Sequence, residues 1–495
     1  MLKIKKKNHA FITIDAEPSI LNEISDYFTF YVPGYKFMPA FRNKVWDGKI
    51  RLFNTQSKEL YSGLYHYVEK LANEEGRNYK IELEDSQYGY PNEKQNVPLD
   101  FLDSYNLTVK NRPIKIRDYQ LEAISYCLNN KQALLLSPTA SGKSLIIYCV
   151  VRWFIEEFNK KVLIIVPTTS LVEQMYSDFA DYSRNDIGFE DSCIHRIYAG
   201  KSKTADHDIV ISTWQSIYKM PGSWFEQFGC VFGDEAHNFK AKSLSTILSK
   251  MRESEYRFGT TGTLDGTQTH RLVLEGLFGK ILKVTSTKEL MDKGALAKLD
   301  IKVLLLKYSD ELCKAMNGSK YNEEVDFIVR YEARNRFISN LALDQKGNTL
   351  ILFQFVDKHG KPLHTMISER ADKDRKVFYV SGETGVDARE EVRNITEQEK
   401  NAIIVASMGV FSTGINIRNL HNIIFASPSK SQIRILQSIG RGLRKSDDGR
   451  PTTLFDLADD LHWKKSKNFT LNHAAERIKI YSREKFKYNI HELEI

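Results

Sequence analysis

The chain has 495 residues, which is more than one hydrophobic core usually serves and predicts about three domains of ordinary size. Its composition, 42% hydrophobic and 27% charged, is typical of globular proteins and excludes a largely disordered chain. The net charge of +8 comes entirely from the two end segments, 1–60 and 461–495. This distribution indicates either two surfaces that face a polyanion such as nucleic acid, or two solvated basic ends.

No apolar run reaches the ~20 residues that a membrane-spanning helix needs, so no membrane partner is expected. The basic N-terminal stretch lacks the apolar segment of a signal peptide. The cysteines are spaced too widely for a zinc knuckle or a C-x-x-C pair. They are Cys127, Cys149, Cys193, Cys230 and Cys313. Buried, unpaired thiols in a reducing cytosol are the expectation, so we predict a cytoplasmic protein.

A small α/β domain is predicted over residues 1–90, because stretches with strand-like alternation are separated by helical spacing. The strand candidates are 11–15, 49–53 and 79–84, and the helix candidates are 19–28 and 63–74. The polar segment that follows contains Gly and Pro, so we place a linker at 91–112.

Two further α/β domains are predicted in series, at 113–295 and 296–460. Their strands are apolar on both faces and alternate with helices, which is typical of parallel sheets covered by helices on both sides. The strand candidates are 132–137, 161–167, 208–213 and 230–235, then 299–309, 349–356, 376–381, 401–407, 422–427 and 452–458. A basic helical tail is predicted at 461–495.

The stretch "SPTASGKS" (137–144) lies between an apolar strand and a helix, as a phosphate-binding (Walker A) loop does. Gly142, Lys143 and Ser144 fit the pattern G-x-x-x-x-G-K-[ST], whereas Ser137 replaces the first glycine. Backbone N–H groups would hold ATP phosphates, Lys143 would reach the β- and γ-phosphates, and Ser144 would ligate Mg²⁺. The alternative is a polar turn with a helix-capping serine.

The "DEAH" box at 234–237 follows another apolar strand. Asp234 would hold Mg²⁺, and Glu235 would orient and deprotonate the attacking water. His237 would relay between the nucleotide and the rest of the protein. Because open α/β sheets bind ligands at the carboxyl ends of their strands, this box and the phosphate loop predict one ATP site.

The stretch "QSIGRGLR" (437–444) has helical spacing that places Gln437, Arg441 and Arg444 on one face. Guanidinium groups offset the charge that develops in phosphoryl transfer, so these residues are candidates to act on the γ-phosphate. A solvated basic helix is the alternative, but the position in the second α/β domain would let the arginines close on ATP held by the first.

These motifs resemble those of superfamily 2 helicases, and further stretches match in the same order. They are "RDYQ" (117–120), "VPTTSLVEQ" (166–174), "STWQS" (212–216), "TGT" (261–263), "ILFQFV" (351–356) and "ASMGVFSTGINI" (406–417). The resemblance implies two tandem RecA-like domains, with ATP between them and nucleic acid across both.

The resemblance also implies roles for individual residues. Those at the nucleotide are Arg117, Gln120, Thr139, Ala140, Ser141, Gly142, Lys143, Ser144 and Gly414; those at the DNA backbone are Thr168, Thr213 and Thr413; those that couple the two are His237, Thr261 and Thr263. Threonine hydroxyls contact phosphates without reading sequence.

Nine aromatic residues occur in 27–53, interleaved with basic ones. This pattern is typical of surfaces that stack on bases or wedge a junction, although we expect about two-thirds of these aromatics to be core. We predict a DNA-binding face formed by Arg42, Lys44, Trp46 and Lys49.

The segment "GYKFMPAFRNKVWDGKIRLF" (34–53) closely resembles the N-terminal domain of the UvsW family, the T4-type phage recombination and repair helicases. The stretches 276–299 and "DLADD" (456–460), ahead of a basic tail, fit the same family. The resemblance implies an ATP-dependent helicase that regresses forks, migrates Holliday junctions and unwinds R-loops or D-loops, moving 3′ to 5′. Its partners would be branched, single-stranded and duplex DNA and RNA–DNA hybrids. A monomer in the host bacterial cytoplasm is expected.

Two other functions stay open. An RNA helicase could use the same motor, although no RNA-binding signature is visible. A translocase subunit of a restriction or nuclease system is the second; a nuclease carboxylate cluster is not visible, so the cutting partner would be separate. In the tail, Lys479, Arg483 and Lys487 form a basic stripe that either contacts the DNA backbone or is a solvated face.

Overall fold

A computed structural model gives the fold and describes every residue except 187–188, 241, 265–266, 414–416, 418, 429–430, 432–434, 436–437, 441–442 and 444–448. The chain forms two compact units. The first comprises residues 1–137 and 142–284, and the second comprises residues 138–141 and 285–495. None of the helices in the described residues is long and apolar enough to cross a membrane.

The first unit begins with a small α/β region. Its elements are β1 (Leu2–Lys6), β2 (Phe11–Asp15), α1 (Pro18–Tyr27), β3 (Thr29–Tyr31), α2 (Pro39–Arg42), β4 (Lys49–Arg51), β5 (Glu59–Tyr61), α3 (Tyr65–Ala72) and β6 (Ile81–Glu84). Four strands form a mixed sheet in the order β5-β2-β1-β6, while β3 and β4 pair separately as an antiparallel hairpin. The five elements predicted here are confirmed within a few residues, whereas β1, β3, α2 and β5 were not predicted.

The rest of the first unit is a parallel sheet covered by helices. Its elements are β7 (Thr108–Val109), β8 (Arg112–Pro113), α4 (Asp118–Asn130), β9 (Gln132–Leu136), α5 (Lys143–Phe158), β10 (Lys161–Val166), α6 (Thr169–Tyr182), β11 (Ile194–Ile197), β12 (Ile209–Thr213), α7 (Trp214–Ile217), α8 (Gly222–Phe225), β13 (Phe228–Gly233), α9 (Lys242–Lys250), β14 (Tyr256–Thr261), α10 (Gln268–Phe278) and β15 (Ile281–Lys283). The strand order of the sheet is β11-β12-β10-β13-β14-β9-β15, and every pairing within it is parallel. β7 and β8 pair separately as an antiparallel hairpin.

The small N-terminal region packs directly on this sheet domain. Leu60 and Leu64 belong to the same buried cluster as Leu274 and Phe278 of α10. The Tyr67 hydroxyl also donates to Glu275 Oε2 at 2.6 Å. One continuous hydrophobic core therefore holds the two parts of the first unit together.

The second unit repeats the parallel architecture. Its elements are α11 (Thr287–Asp292), β16 (Leu299–Lys307), α12 (Asp310–Met316), α13 (Tyr321–Arg330), α14 (Glu332–Asp344), β17 (Thr349–Phe353), α15 (Lys361–Ser368), β18 (Val377–Val380), α16 (Val386–Gln398), β19 (Ile403–Ser407), α17 (Met408–Thr413), β20 (Asn422–Phe425), β21 (Thr452–Asp460), α18 (Phe469–Arg483) and β22 (Tyr488–Glu494). The strand order is β18-β19-β17-β20-β21-β16-β22, again with parallel pairings.

The two sheets confirm the predicted fold class of tandem RecA-like domains. Strands such as β10 are buried along almost their whole length because their side chains are apolar on both faces. The prediction of a helical tail is correct for α18 and wrong for β22, which pairs along seven positions with β16. None of the five cysteines forms a disulfide, and all but Cys193 are buried.

Candidate functional site

The phosphate loop connects β9 to α5. The Ser137 N–H donates to the Thr261 carbonyl at 2.8 Å, and the Ser141 hydroxyl donates to the Pro138 carbonyl at 2.7 Å. Ala140 and Gly142 adopt left-handed backbone conformations, with φ of 66° and 83°. Such a turn ahead of a helix N-terminus directs backbone N–H groups outward and suits an anion.

Ser137 does not weaken this assignment. It is fully buried as the continuation of β9, and its φ is not positive, so glycine's conformational freedom is not required there. The left-handed conformation falls instead on Gly142, where the sequence pattern keeps a glycine.

The predicted adenine-binding residues lie against the loop. Gln120 is buried in α4, and its Oε1 accepts a hydrogen bond from the Arg117 N–H at 2.9 Å. Arg117 Nη1 donates to the Tyr119 hydroxyl at 2.8 Å. A Cβ placed on Gly142 would overlap the Gln120 amide. The glycine and the glutamine are therefore in direct contact.

The DEAH box joins the same site at the end of β13. Lys143 Nζ lies 3.6 Å from Glu235 Oε1. Asp234 is buried, and its Oδ1 accepts from the Thr260 hydroxyl at 2.6 Å. Burial raises the pKa of the Asp234 carboxyl, while the nearby Lys143 ammonium counteracts part of that shift. A cation at this carboxylate would favour its ionised form in the same way.

The residues present fit a magnesium ion that is shared with a nucleotide. Among the described residues, no group of three or more His, Cys, Asp or Glu side chains could hold a metal by itself. Mg²⁺ in nucleotide sites is held by one or two protein oxygens together with phosphate oxygens, which matches the predicted pair of Asp234 and Ser144. The Ser144 hydroxyl lies 2.9 Å from the Tyr182 hydroxyl, a contact that the sequence did not predict.

Glu235 is held in a strained backbone conformation. Its φ is +49°, which costs an L-residue roughly 1–2 kcal/mol. Its Oε2 lies 3.3 Å from Nδ1 of His237. The backbone conformation, the Lys143 ammonium and the His237 ring hold the carboxylate at the edge of the sheet, where a catalytic base would have to stand.

The predicted coupling residues form one hydrogen-bonded chain. His237 Nδ1 lies 3.1 Å from the Thr261 hydroxyl, which in turn donates to the Thr263 carbonyl at 2.9 Å. His270 Nε2 contacts the His237 carbonyl at 3.0 Å. The DEAH box is thereby connected to the stretch that resembles motif III.

The predicted DNA-backbone threonines of the first unit share one edge. Thr168 follows β10 and caps α6, where its hydroxyl accepts from the Leu171 N–H at 3.4 Å. Thr213 ends β12 and is paired in register with Val166. Both residues therefore lie at the carboxyl edge of the sheet, as Asp234 does. For Thr413 only the backbone is described, at the end of α17.

Four predicted site residues lie outside the described residues. They are Gly414, Gln437, Arg441 and Arg444. Their roles at the nucleotide remain predictions from the sequence.

The N-terminal surface predicted to bind DNA surrounds the β3–β4 hairpin. Arg42 and Lys44 are exposed, while Trp46 is half-buried and donates from Nε1 to the Lys49 carbonyl at 2.9 Å. The Lys49 ammonium lies 5.1 Å from the centre of the Tyr31 ring. Trp46 is thus a support of the hairpin as well as part of its surface.

The expectation that about two-thirds of the aromatics in 27–53 are core is wrong. Only Phe28 and Phe53 are buried, with Tyr27 and Phe30 partly buried against the same core. Phe37 is 76% exposed, and the apolar Val45 is 82% exposed. The hairpin is too thin to cover them, so it presents apolar groups among basic ones. Phe37 and Val45 were not predicted as part of this surface, although each directly follows a lysine, Lys36 and Lys44, in the sequence.

Comparisons with known proteins match the whole length of the chain. The family described as "DNA helicase UvsW, N-terminal" matches residues 1–84, "Type III restriction enzyme, res subunit" matches 113–266, and "Helicase conserved C-terminal domain" matches 332–446. The ATP-dependent DNA helicase uvsW of Enterobacteria phage T4 is 37% identical, and the match covers 98% of each chain. The DNA 3′-5′ translocase XPB2 of Sulfurisphaera tokodaii is 25% identical over 70% of this chain and 82% of that protein.

Solved structures agree with these matches. The crystal structure of T4 UvsW is 34% identical and has a TM-score of 0.52. The match covers 100% of this chain and 99% of the T4 chain. A fragment of a putative HsdR subunit of a type I restriction enzyme from Vibrio vulnificus is 17% identical with a TM-score of 0.56, over 80% of this chain and 72% of that one. The second similarity concerns the fold alone.

Proposed function

The chain belongs to the UvsW family of ATP-dependent DNA helicases, and from that premise we propose that it remodels branched DNA. As a helicase of this family it is an ATP hydrolase that acts on DNA. Beyond helicase activity, we propose that it regresses forks, migrates Holliday junctions, and unwinds R-loops and D-loops, including RNA–DNA hybrids. The observation that carries it is the exposed basic and apolar hairpin ahead of a complete set of first-unit motor residues.

In the proposed mechanism the first unit binds the nucleotide. The loop N–H groups and Lys143 bind the phosphates, Gln120 and Arg117 contact the adenine, and Ser144 and Asp234 would hold Mg²⁺. The bound Mg²⁺ would neutralise developing charge on the phosphates. Glu235 accepts the proton of the attacking water, and Gln437, Arg441 and Arg444 would act on the γ-phosphate.

Hydrolysis would be transmitted to DNA through the chain of His237, Thr261 and Thr263. A change at the γ-phosphate would alter the position of Glu235, and the hydrogen-bonded residues link the DEAH box to the end of β14. That strand end lies at the same carboxyl edge of the sheet as Thr168 and Thr213. Hydroxyls at that edge and at Thr413 hold phosphates independently of base sequence, as a translocating motor requires. We propose 3′-to-5′ movement, which the similarity to the DNA 3′-5′ translocase XPB2 supports.

The N-terminal hairpin would supply the recognition of branched DNA that the two RecA-like domains alone do not provide. Arg42, Lys44 and Lys49 provide charge for the backbone, and Trp46 supports the turn beside them. Aromatic side chains stack on bases with about 1–3 kcal/mol per base, so Phe37 at this surface suits a site where strands separate. We propose that the region 1–90 recognises the branch and that the protein works as a monomer. A bacterial host cytoplasm is the proposed location, since the relative with 37% identity comes from a phage.

Two experiments test the proposal. Lys143→Ala should abolish DNA-stimulated ATP hydrolysis, whereas Lys201→Ala, at an exposed position of the same unit, should leave it intact. ATPase rates on single-stranded, duplex, forked, four-way and RNA substrates should then be highest with forked or four-way DNA. Equal stimulation by plain duplex would contradict the branch-specific function.

A second candidate function is a translocase that moves on DNA without remodelling branches. The match of residues 113–266 to the res subunit of type III restriction enzymes favours it. It predicts strong stimulation by plain duplex and little strand separation, so the same set of substrates distinguishes it from the first proposal.

A further inference from the structure

A basic turn lies at the carboxyl end of β21, before α18 begins. The Trp463 N–H and the Ser466 N–H donate to each other's carbonyls at 3.1 and 3.0 Å, and Lys464 has a φ of +53°. These bonds fix a tight turn. It carries three exposed lysines, Lys464, Lys465 and Lys467.

The lysines of this turn have no ion-pair partner within the part of the chain that the structure describes. The basic stripe of α18 differs. Lys479 lies 2.7 Å from Glu476, and Arg483 lies 3.8 Å from Glu484. The contacts therefore favour the solvated-face interpretation for Lys479 and Arg483, whereas Lys487 lies beyond the end of α18. The three lysines of the turn carry charge that no ion pair compensates among the described residues.

Two carboxylates beside the turn, those of Asp460 and Glu324, are occupied by other groups. Asp460 accepts from the Lys307 ammonium at 2.6 Å and from the His462 N–H at 3.2 Å. Glu324 accepts from the backbone N–H groups of Phe469 and Thr470 at 2.9 and 2.7 Å. These contacts leave the lysine charges directed to solvent.

An exposed aromatic pair adjoins the turn. Phe469 begins α18 two residues after Lys467, and Tyr321 begins α13; they are 44% and 38% exposed. Their ring centres are 5.9 Å apart at an angle of 78°. Glu324 of α13 holds the first turn of α18, so the two helix starts are fixed side by side.

We propose that the lysine turn and this aromatic pair form a binding site for single-stranded DNA on the second unit. Three lysines can follow the phosphates, while Phe469 and Tyr321 offer apolar surface to unpaired bases. Duplex DNA buries its base faces and would use only the lysines. The inference rests on the proposed function because it takes DNA as the polymer that the motor moves.

The electrostatic half of the site is tested by the variant K464A/K465A/K467A. Each phosphate contact on a single strand contributes about 0.7 to the slope of log K against log salt, so the slope for an oligo-dT strand should decrease by about 2. The control K298A/K346A/K373A removes the same charge from exposed lysines at the amino ends of β16, β17 and β18, the opposite edge of the sheet. Its slope should stay at the wild-type value.

The aromatic half is tested by Y321A/F469A. The loss of about 1–3 kcal/mol of stacking should weaken oligo-dT binding roughly 5- to 150-fold and leave duplex affinity unchanged, while Y321F/F469Y should retain binding. DNA-free ATPase activity and thermal melting serve as the check on folding.

Three results would overturn the inference: an unchanged salt slope in the lysine variant, an equal loss in its control, or an equal loss of duplex affinity in the aromatic variant. Loss of polyglutamate binding with intact oligo-dT binding would also overturn it and would identify an acidic polypeptide as the ligand. If no DNA stimulates the wild-type ATPase, the proposed function fails instead. If DNA stimulates the wild-type ATPase and the variants bind DNA as the wild type does, only this inference fails.

Discussion

The contact between Gly142 and Gln120 allows a sharp test of the ATP site. Gly142→Ala and Gly200→Ala impose the same backbone strain, because the two glycines have φ of 83° and 84°. A left-handed alanine costs about 1–2 kcal/mol, so both variants should lose that much stability. At Gly200 no atom lies within 4 Å of the added Cβ, whereas at Gly142 the Cβ would overlap the Gln120 amide.

The two variants should therefore differ in ATPase activity. In Gly142→Ala the Gln120 amide must retreat by about 1 Å to reach an ordinary van der Waals distance. That movement breaks its hydrogen bond to the Arg117 N–H and displaces the adenine site. A misplacement of this size costs up to about 100-fold in rate, so we expect kcat/KM for ATP to fall 10- to 100-fold.

The assay combines urea unfolding with steady-state ATPase kinetics at saturating DNA. Gly200→Ala should lose only the strain energy and match the wild type in kcat/KM, whereas Gly142→Ala should lose about 1–3 kcal/mol more because the hydrogen bond of the buried Gln120 is broken. If Gly200→Ala loses as much ATPase activity as Gly142→Ala, the loss comes from strain alone. If Gly142→Ala keeps its KM for ATP, Gln120 does not bind adenine and the assignment is refuted.

Three further predictions follow from buried polar groups. Thr260→Val removes the 2.6 Å hydrogen bond to the buried Asp234, so the unfolding free energy should fall by about 1.5–3 kcal/mol. Because Asp234 then lacks the bond that positions it, kcat should fall 10- to 100-fold, and an unchanged kcat would contradict this. Burial, with a smaller contribution from Lys6, lowers the pKa of His9 to about 3, so the folded ring stays neutral while the unfolded chain protonates near pH 6.5. The contribution of the neutral His9 ring to the free energy of unfolding is complete above pH 6.5 and is lost as the pH falls toward 3. Between pH 6.5 and 4.5 the free energy of unfolding, measured in urea, should therefore fall by about 2 kcal/mol more for the wild type than for His9→Gln. Equal decreases in the two proteins would refute this prediction. Arg257 is buried and donates to the carbonyls of Leu248, Met251 and Leu277. Arg257→Lys, whose single ammonium cannot bond all three, should lower the unfolding free energy by about 3 kcal/mol, whereas Lys201→Arg at an exposed position should leave it unchanged.

The parts of the fold that the sequence predicted are those set by local patterns. Strands such as β10 and β19 are continuous apolar runs because both of their faces are covered by helices. The phosphate loop was recognisable from Gly142 to Ser144, since the chemistry of phosphate binding requires those residue types in that order.

The parts that were missed depend on distant partners. The residues of β22 are mostly exposed and lack an apolar pattern, and they form a strand because the edge of β16 offers hydrogen bonds. Thr260 reaches Asp234 only because β13 and β14 pair in register, with Gly233 opposite Gly259. Motif spacing carries no information about such cross-strand neighbours. Phe37 was expected to be buried because aromatic side chains usually are. It is exposed because few other residues pack around the hairpin, and the sequence around Phe37 does not show this.

The position of β16 has a consequence for synthesis of the protein on the ribosome. This nine-residue, largely apolar strand pairs on one side with β21 and on the other with β22. About 145 residues separate its end from the start of β21. At roughly 5–20 residues per second, translation leaves β16 without either neighbour for roughly 7–30 s. During that interval its two open edges could pair with other nascent chains, so the yield of the second unit should depend on chaperones that bind exposed strands.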